Sequence, residues 1–243
     1  MHNRINPLFS IITVVFNGNK TLESTIESVV SQSFVNFEYI IIDGGSTDGS
    51  IDIISKYQEK ISYWSSEPDE GIYDAMSKGI KFAKGDFIYF LGSDDLLFNN
   101  EVLNKLSTFL VSKNKVYYGN VLFKKRNAIY DGKFNSLKIV TRNISHQSIF
   151  YPKEVFEKYN FKTEYKIFAD YDLNLKLYGN SSYKFQYIPL TIALFNDEGA
   201  SGSNVLDACF EKDRLEIIKR NFPYWVYLYR FYRSKISKLV SLI

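Results

Sequence analysis

The sequence is poor in the residues that build disulfides and zinc centres. It has one cysteine, Cys209, and two histidines, His2 and His146. One cysteine excludes an internal disulfide framework and fits a reducing compartment, and the lack of a Cys/His cluster argues against a zinc site. The chain also lacks the run of ~20 apolar residues that spans a bilayer. Its polar start, residues 1–7, and the short apolar run at 8–16 predict no signal peptide.

Basic residues are concentrated near the C-terminal end. The 243 residues suit one large domain, or one domain with a helical appendage, and 19 Tyr and 20 Phe argue against general disorder. The net charge is +3, yet six basic and no acidic residues lie from residue 217 onward. Removing this +6 leaves a net charge of −3 on the rest of the chain. We expect no nucleic-acid partner, and we treat the basic tail separately.

The first half of the chain alternates between strand and helix patterns. Apolar and β-branched runs predict strands, and apolar residues at helical spacing predict helices, with Thr21 as a cap. The predicted strands are 9–16, 37–43, 61–64 and 87–91, and the predicted helices are 21–33, 51–57 and 75–83. This alternation predicts an α/β fold with a doubly wound, mostly parallel sheet.

Polar residues follow three of these strands. Asn17, Asp43, and the pair Asp94 and Asp95 stand at strand ends, where sheets of this kind bind ligands. The adjacent aspartates suit a hard divalent ion that also holds phosphate oxygens, or else a solvated turn. The segment 43–49 matches neither the P-loop nor the dinucleotide fingerprint. Asp43 could instead accept hydrogen bonds from a nucleobase.

The second half of the chain is less regular. We predict a hairpin from 116–123 and 128–130, strands at 148–151 and 183–188, helices at 171–178 and 205–220, and a Gly/Ser-rich loop at 197–203. We divide the chain into a domain at 1–203, made of two halves at 1–100 and 101–203, and a helical tail at 204–243.

Five short motifs occur in order and at natural spacings. Together they resemble the family 2 glycosyltransferases of the GT-A fold, of the type that builds bacterial surface polysaccharides. The resemblance is strong over residues 8–100 and looser to about 202. The motifs are Ser10–Asn17, Ile42–Gly49 (IDGGSTDG), Gly71–Gly79 (GIYDAMSKG), Gly85-Asp86 and Phe90–Asp95 (FLGSDD).

The resemblance implies that the half at 1–100 binds a nucleotide-sugar donor and that the half at 101–203 binds the acceptor. It also implies a divalent metal, Mn²⁺ or Mg²⁺. Asp43 would bind the edge of the base, and the metal would lie on Asp94 and Asp95. Gly92 replaces the first aspartate of the usual metal motif, which leaves Asp94 as the expected direct ligand. The implied donor-binding residues are Thr13, Phe16, Asn17, Asp43, Ser46, Asp74, Ser93 and Asp94.

The resemblance also implies a catalytic base. Asp170 matches the aspartate of the family's Glu-Asp segment, and Ala169 replaces the glutamate. Asp172 would lie on a different face of the same helix, and both aspartates could instead cap that helix. The pair His146 and Gln147 resembles part of the acceptor or phosphate wall, although a lone histidine is more often structural.

The implied reaction moves a sugar, with inversion, from a nucleoside diphosphate, UDP in the first place, to an acceptor hydroxyl. The expected acceptor is a glycan or a lipid-linked oligosaccharide. Two alternatives stay open: a nucleotide-sugar-binding module without turnover, suggested by Gly92 and Ala169, and a nucleotidyltransferase. The segment Asn17–Lys20 is a poor match to the basic, Gly-rich loop that a nucleotidyltransferase needs.

The tail, 224–243, interleaves aromatic and basic residues. A helix would place Tyr224, Tyr227, Phe231, Ile236 and Leu239 on one side, with Arg230, Arg233 and Lys238 away from it. Such a helix could lie in an anionic bilayer surface. This predicts a cytoplasmic enzyme held on the inner face of the plasma membrane. The alternative is packing on the protein's own core or on a second subunit, as in a homodimer.

Overall fold

The computed structural model describes residues 6–180, 183–197 and 207–240, with backbone only for 237–240. Four parallel strands form its first half: β1 (Phe9–Val15), β2 (Phe37–Asp43), β3 (Tyr63–Ser66) and β4 (Phe87–Gly92). Helices α1 (Leu22–Val30), α2 (Ser50–Lys56) and α3 (Ile72–Phe82) connect them. Every residue of β1 is buried because the strand is covered on both faces, which explains its continuous apolar run.

The second half extends the same sheet. The short strand β5 (Leu96–Leu97) and helix α4 (Val102–Ser107) precede β6 (Lys115–Phe123) and β7 (Ala128–Tyr130), which form the predicted hairpin. After α5 (Ser136–Ile139) come β8 (Ile149–Pro152), α6 (Val155–Lys158), α7 (Ala169–Gly179) and β9 (Lys184–Phe195). The strand order is β3-β2-β1-β4-β8-β6-β9-β5, with β7 on β6. This mixed α/β sheet, with its parallel first half, confirms the predicted fold class.

A buried glutamate holds the start of the parallel sheet together. Glu38 of β2 accepts hydrogen bonds from Ser10 Oγ at 2.6 Å and from the backbone N–H of Gly85 at 3.0 Å. A Cβ on Gly85 would lie 2.5 Å from the backbone nitrogen of Ser10. Only glycine therefore fits there, which gives the Gly85-Asp86 motif a structural reason.

Several predicted boundaries need correction. The strand predicted at 183–188 continues through Pro189 to Phe195. Thr21 is the residue before α1, but its side chain makes no capping hydrogen bond. Helix α8 (Ala208–Asn221) is capped by Asp207, whose side chain accepts a hydrogen bond from the N–H of Phe210. The predicted helix start at 205, nearly all of the loop at 197–203 and the proposed boundary at 203 lie outside the described residues.

The last helix, α9 (Tyr224–Val240), packs on the protein differently from our prediction. Val226 is fully buried in the core, and Tyr227 packs against the same core. Tyr224 and Ile236, which we expected on the same stripe, are 65% and 61% exposed. Arg230 lies half-buried on the packed side instead of away from it. The contact side follows Val226, which the sequence pattern did not single out.

Neighbouring residues of α9 give a test of this packing. We expect Val226→Ala to lower the free energy of unfolding by about 1–3 kcal/mol, because it removes buried methyl groups and leaves a cavity. Trp225→Ala, at a side chain that is 59% exposed, should change it by less than about 0.5 kcal/mol. Denaturant titration of both variants measures the difference. Equal effects would contradict the packing of α9.

Candidate active site

A cavity of about 530 Å³ opens at the carboxyl ends of β1 and β4. Parallel strands place their carboxyl ends at one edge, so residues far apart in sequence meet there. The segment before α3, the turn at 146–148 and the end of β9 complete the wall. Seven residues predicted from the sequence line this cavity: Phe16, Asn17, Ser93, Asp94, Asp95, His146 and Gln147.

The loop after β1 is shaped by Asn17. Its φ of 52° lies in the left-handed region, which asparagine tolerates better than most residues. Its N–H donates to Ser46 Oγ at 2.7 Å, and its Oδ1 accepts from the N–H of Thr47 at 3.0 Å. These bonds join the ends of β1 and β2. The preceding Phe16 is 65% exposed, so its ring presents a face on which a planar ligand can stack.

Asp43 carries one unpartnered oxygen at the end of β2. Its Oδ2 accepts hydrogen bonds from the N–H groups of Gly45 and Ser46 and from Ser66 Oγ at 2.6–3.0 Å. Its Oδ1 is buried without a partner. A buried acceptor without a donor is costly, so an N–H group from a ligand would be stabilising. The side chain lies behind the cavity wall rather than on it.

The structure places three other predicted donor residues outside the cavity wall. Ser46 is buried and accepts the hydrogen bond from the N–H of Asn17. Thr13 is fully buried, and its Oγ1 accepts a hydrogen bond from the hydroxyl of Tyr39 at 3.1 Å. Asp74 faces Lys78, with Nζ at 3.4 Å, and accepts from the N–H of Glu70. Val14 and Ala75, the residues that follow Thr13 and Asp74, line the cavity, but these two side chains do not.

A third carboxylate, Asp69, lines the cavity and was not predicted. It accepts a hydrogen bond from the N–H of Gly71 at 2.8 Å. A Cβ on Gly44 would lie 2.3 Å from Asp69 Oδ2, so glycine allows this close approach. The signal that could have found it is its position, two residues before the Gly71–Gly79 motif.

The two adjacent aspartates have different environments. Asp95 is buried, with Oδ1 accepting from the N–H of Asn196 at 2.7 Å and Oδ2 accepting from Gln147 Nε2 at 2.8 Å. Asp94 is partly exposed, and its Oδ2 accepts from Asn196 Nδ2 at 2.9 Å. Both oxygens of Asp95 are therefore held by the protein, which leaves Asp94 as the member of this pair that can face a ligand.

The pKa of Asp95 reflects this burial. Burial first, and the negative charge of Asp94 second, raise the pKa of Asp95 to about 6. Within the described part of the chain, no three His, Cys, Asp or Glu side chains group as a metal site. Asp94 and Asp69 are the carboxylates on the cavity wall besides Asp95, so a cation on Asp94 would take most of its remaining ligands from the donor and from water.

Asp170, in the first turn of α7, lies behind the turn at 146–148. It is 4% exposed. The hydroxyl of Tyr73 donates to its Oδ1 at 2.8 Å, and Asn143 Nδ2 donates to its Oδ2 at 2.8 Å. His146 Nδ1 lies 3.5 Å from the same Oδ2. Asp170 is therefore buried, with a protein donor on each of its two oxygens.

A buried chain of amides continues from Asp170. Asn174 Nδ2 donates to Asn143 Oδ1 at 2.9 Å, and the hydroxyl of Tyr151 donates to Asn174 Oδ1 at 2.8 Å. The sequence analysis missed Tyr73, Asn143, Tyr151 and Asn174. One signal was available, because Asn174 lies four residues after Asp170 and hence on the same helix face.

Asp172 lies on another side of α7, and its predicted place in the acceptor wall is not supported. It is 1% exposed and pairs with Lys176 Nζ at 2.6 Å. Burial raises its pKa, and Lys176 opposes this shift. The angle of about 100° per residue turns the two side chains apart, so only Asp170 faces the turn at 146–148.

The fold and the cavity define a glycosyltransferase of the GT-A class. Residues 10–174 match the family described as Glycosyl transferase family 2, and the chain belongs to this family. It is 30% identical over 213 residues to a PGL/p-HBAD biosynthesis glycosyltransferase of Mycobacterium bovis, covering 85% of this chain and 83% of the relative. A protein named "Uncharacterized glycosyltransferase" from Haemophilus influenzae is 28% identical, with coverage of 92% and 96%.

Solved structures share the fold at low sequence identity. S. aureus TarS 1-349 in complex with UDP-GlcNAc has a TM-score of 0.71 and 21% identity, covering 86% of this chain and 64% of that one. The mannosyltransferase PcManGT of Pyrobaculum calidifontis, in complex with GDP-Man and Mn2+, has a TM-score of 0.65 and 15% identity, with coverage of 88% and 63%.

The raised pKa of Asp95 predicts a pH-dependent stability. The pKa of Asp95 is about 6 in the folded state, against an ordinary 3.8. The protonated carboxyl therefore stabilises the fold. This stabilisation is complete below pH 3.8 and is lost as the pH rises from 3.8 through 6. The loss amounts to about 3 kcal/mol. It is measured as the difference in unfolding free energy between wild type and Asp95→Asn from pH 4 to pH 7.5.

An Asp94→Asn background gives the control for this prediction. Removing the neighbouring charge should lower the pKa of Asp95, so the loss of stability should be smaller and should be complete at a lower pH. A wild-type minus Asp95→Asn difference that is constant with pH would contradict the burial of an ionisable Asp95.

Proposed function

We propose that this glycosyltransferase moves a sugar from a UDP-sugar to an acceptor hydroxyl with inversion at the anomeric carbon. One observation carries the proposal: the cavity lies between Asp43 and Asn17 at one end and the centre around Asp170 at the other, with Asp94 on its wall. The similar fold of TarS, whose structure contains UDP-GlcNAc, supports a UDP-sugar donor.

The donor end of the cavity suits a nucleobase. Asp43 Oδ1, buried and unpartnered, would accept a hydrogen bond from a ring N–H, as uracil provides. Phe16 would stack on the ring. Asn17 holds the two strand ends in place through Ser46 and Thr47. Thr13 would then support the pocket from behind, through Tyr39, instead of contacting the base.

The cavity wall fits a divalent cation on Asp94. Carboxylate oxygens are the ligands that Mg²⁺ and Mn²⁺ prefer, and a site with one protein carboxylate leaves positions for diphosphate oxygens and water. Bound there, the cation would stabilise the negative charge that develops on the departing diphosphate. PcManGT, which shares the fold, was solved with Mn2+.

The other end of the cavity suits removal of a proton. Asp170, with its hydrogen-bond donors Tyr73 and Asn143, forms a carboxylate centre close to the cavity. The acceptor oxygen would attack the anomeric carbon on the face opposite the diphosphate, while its proton leaves to this centre. A single displacement of this kind inverts the anomeric configuration.

The two departures from the family pattern have structural reasons, which favours turnover over a binding-only module. A Cβ on Gly92 would lie 2.6 Å from Asp95 Oδ2, so glycine is needed for the bonds of Asp95 to Gln147 and Asn196. Ala169 is 1% exposed and belongs to the hydrophobic core, where a glutamate would be unfavourable. Ala169 lies away from the cavity, whereas Gly92 lines it beside Asp94 and Asp95.

The donor and the metal are tested together. With UDP-GlcNAc and a panel of other nucleotide sugars, we expect one donor to raise the unfolding temperature more strongly when Mn²⁺ is present. Asp94→Asn should lose this Mn²⁺-dependent increment and lower sugar transfer by roughly 10²–10³-fold. EDTA should stop the wild type, and Mn²⁺ or Mg²⁺ should restore it.

The matched control is Asp52→Asn, an exposed carboxylate on α2, which should bind and react as the wild type does. Full transfer in EDTA would contradict the metal. Binding of a nucleotide sugar without any sugar release would support the binding module, and release of pyrophosphate would support a nucleotidyltransferase.

We also propose that α9 holds the enzyme on an anionic membrane, next to a lipid-linked acceptor. Among the residues that the structure describes, no helix has the length and apolar character needed to cross a bilayer. Trp225, Tyr229, Tyr232 and Ile236 are 37–61% exposed, and their spacing of four, three and four residues places them on one side of α9. Aromatic side chains of this kind favour the membrane interface.

The positive charges on α9 support membrane binding through the same side of the helix. Arg233 and Lys235 are exposed on α9 among these aromatic residues, and each basic residue near an anionic leaflet contributes about 1 kcal/mol. A reducing compartment, which the single cysteine fits, agrees with the inner face of the plasma membrane. The membrane-facing side is therefore the exposed aromatic side of α9, not the stripe with Tyr227 and Phe231.

We expect the full-length protein to bind vesicles containing phosphatidylglycerol at low salt, and to be released by high salt. Replacing Trp225, Tyr232 and Ile236 by Ser should weaken binding at least about tenfold and leave the unfolding temperature unchanged. The control carries Val35→Ser and Val111→Ser, which are 87% and 76% exposed elsewhere. If the protein is instead a dimer that the α9 variant makes monomeric, this surface is a subunit interface.

A further inference from the structure

Two arginines lie close together where helices α8 and α9 meet. Arg214 of α8 is buried, with 10% of its side chain exposed, and Arg230 of α9 is half-buried. Burial first, and the positive charge of Arg214 second, lower the pKa of Arg230. Arg233, three residues further along α9, lowers this pKa as well. Like charges at a partly buried position are unfavourable, so an anion would stabilise the pair.

The hydrogen-bond donors of Arg214 are only partly used. Its Nη2 donates to the carbonyl oxygens of Val140 and Thr141 and to the hydroxyl of Tyr171, at 3.0–3.3 Å. Its Cζ lies 5.0 Å from the centre of the Tyr171 ring, so the ring also holds the guanidinium in place. Its Nε, however, is buried without a partner. Arg214 is therefore fixed in position and still has an N–H group without an acceptor.

Arg230 also lacks an acceptor, because its Nε is buried without a partner. Among the described residues, the carboxylate near both arginines is that of Glu211, which pairs with Arg214 Nη1 at 2.8 Å and raises the pKa of Arg230. One carboxylate against the guanidiniums of Arg214, Arg230 and Arg233 leaves an excess of about two positive charges. A buried N–H group without an acceptor is costly, and both arginines carry this cost.

We propose that Arg214 and Arg230, with Arg233 at the rim, form a binding site for a phosphate group. A phosphate monoester carries up to about two negative charges and three oxygens that accept hydrogen bonds. It therefore matches both the excess charge and the unpartnered N–H groups. A planar guanidinium can also bind phosphate through two parallel hydrogen bonds. These arginines are not among the described residues that line the donor cavity, so the inference goes beyond the proposed sugar transfer.

The position of the site favours the phosphate of a lipid. Arg233 is exposed on the side of α9 that we expect to face the membrane. Arg214 holds the carbonyl of Thr141, and Asn143, which donates to Asp170, follows two residues later. A lipid phosphate bound here would contact the membrane side of α9 and, through Arg214, the segment that supports Asp170. A free phosphate ion has the same chemistry, and the experiments separate the two sources.

Two simpler accounts compete with a phosphate site. In the first, Arg214 only braces the segment after α5, and Arg230 extends into water. This account predicts no specific effect of phosphate. In the second, the pair binds a carboxylate of a second copy of the chain, which predicts a dimer. A phosphate site predicts that Arg230 destabilises the fold without a ligand and stabilises it when phosphate is bound.

The first experiment measures the unfolding temperature of the full-length protein in inorganic phosphate and in NaCl of the same ionic strength. EDTA is present, so that phosphate cannot bind through a metal in the cavity. We expect phosphate to raise the wild-type value by at least about 2 °C more than NaCl does. Arg230→Gln should lose this increment and, without phosphate, should be at least as stable as the wild type. Lys235→Gln, which removes the same charge from an exposed position of α9, should keep the increment.

The second experiment separates a lipid phosphate from free phosphate. Vesicles with phosphatidic acid, whose phosphate is a terminal monoester, are compared with phosphatidylglycerol vesicles of the same zeta potential. For a lipid ligand we expect the wild type to bind the phosphatidic acid vesicles at least about threefold more strongly. Arg230→Gln should lose this preference and keep its binding to phosphatidylglycerol. Equal binding to both vesicles, with the phosphate increment present, identifies free phosphate as the ligand.

Arg230→Lys keeps the charge but not the planar donors, so it should keep only part of the phosphate increment. It also serves as the second variant if Arg230→Gln unfolds. A wild type with neither the increment nor the lipid preference, or an increment equal in wild type and Arg230→Gln, would overturn the site. A dimer that Arg230→Gln makes monomeric would assign the pair to a subunit contact instead. None of these measurements depends on sugar transfer, so a failure of the proposed function would not change them.

Discussion

The turn at 146–148 connects two buried carboxylates, and the cavity depends on this connection. Gln147 donates to Asp95 at the end of β4, while His146 lies beside Asp170 at the start of α7. Adjacent residues of one short turn therefore fix the distance between the two buried carboxylates. Each carboxylate is buried, so neither could keep its place without these partners. The geometry of the site is a consequence of satisfying buried charge.

Buried carboxylates in this protein fall into two kinds. Asp95 and Asp170 have protein donors on both oxygens, which favours one rigid arrangement. Asp43 and Asp172 each keep one oxygen without a partner. For Asp43 the unpartnered oxygen lies at the carboxyl end of β2, and under the proposed function the unmet hydrogen bond would become a source of affinity for a nucleobase. For Asp172, which is paired with Lys176, we find no such use.

The sequence predicted the parts of the site that local pattern determines. Strand ends are visible as apolar runs that stop at polar residues, and Asn17, Asp43 and Asp94 follow directly. Asn143 and Tyr73 were missed because their contacts with Asp170 join distant segments, and no local pattern carries that pairing. We predicted that strand β9 ends at 188 because Pro189 removes a ladder hydrogen bond. The sheet accommodates Pro189 beside a register irregularity at Asn120. Our prediction of the side of α9 that packs on the protein was wrong, because one residue, Val226, decides it.

Helix α9 belongs to the same hydrophobic core as α7, since Val226 and Leu173 share one cluster. A bilayer bound to the outer side of α9 would therefore contact a helix that is packed rigidly on the rest of the protein, not a flexible tether. The height of the cavity above the headgroups and the direction in which it opens would both be constant. Acceptors would then be sorted by reach, because a reactive hydroxyl too close to its lipid, or too far from it, would not arrive at the cavity.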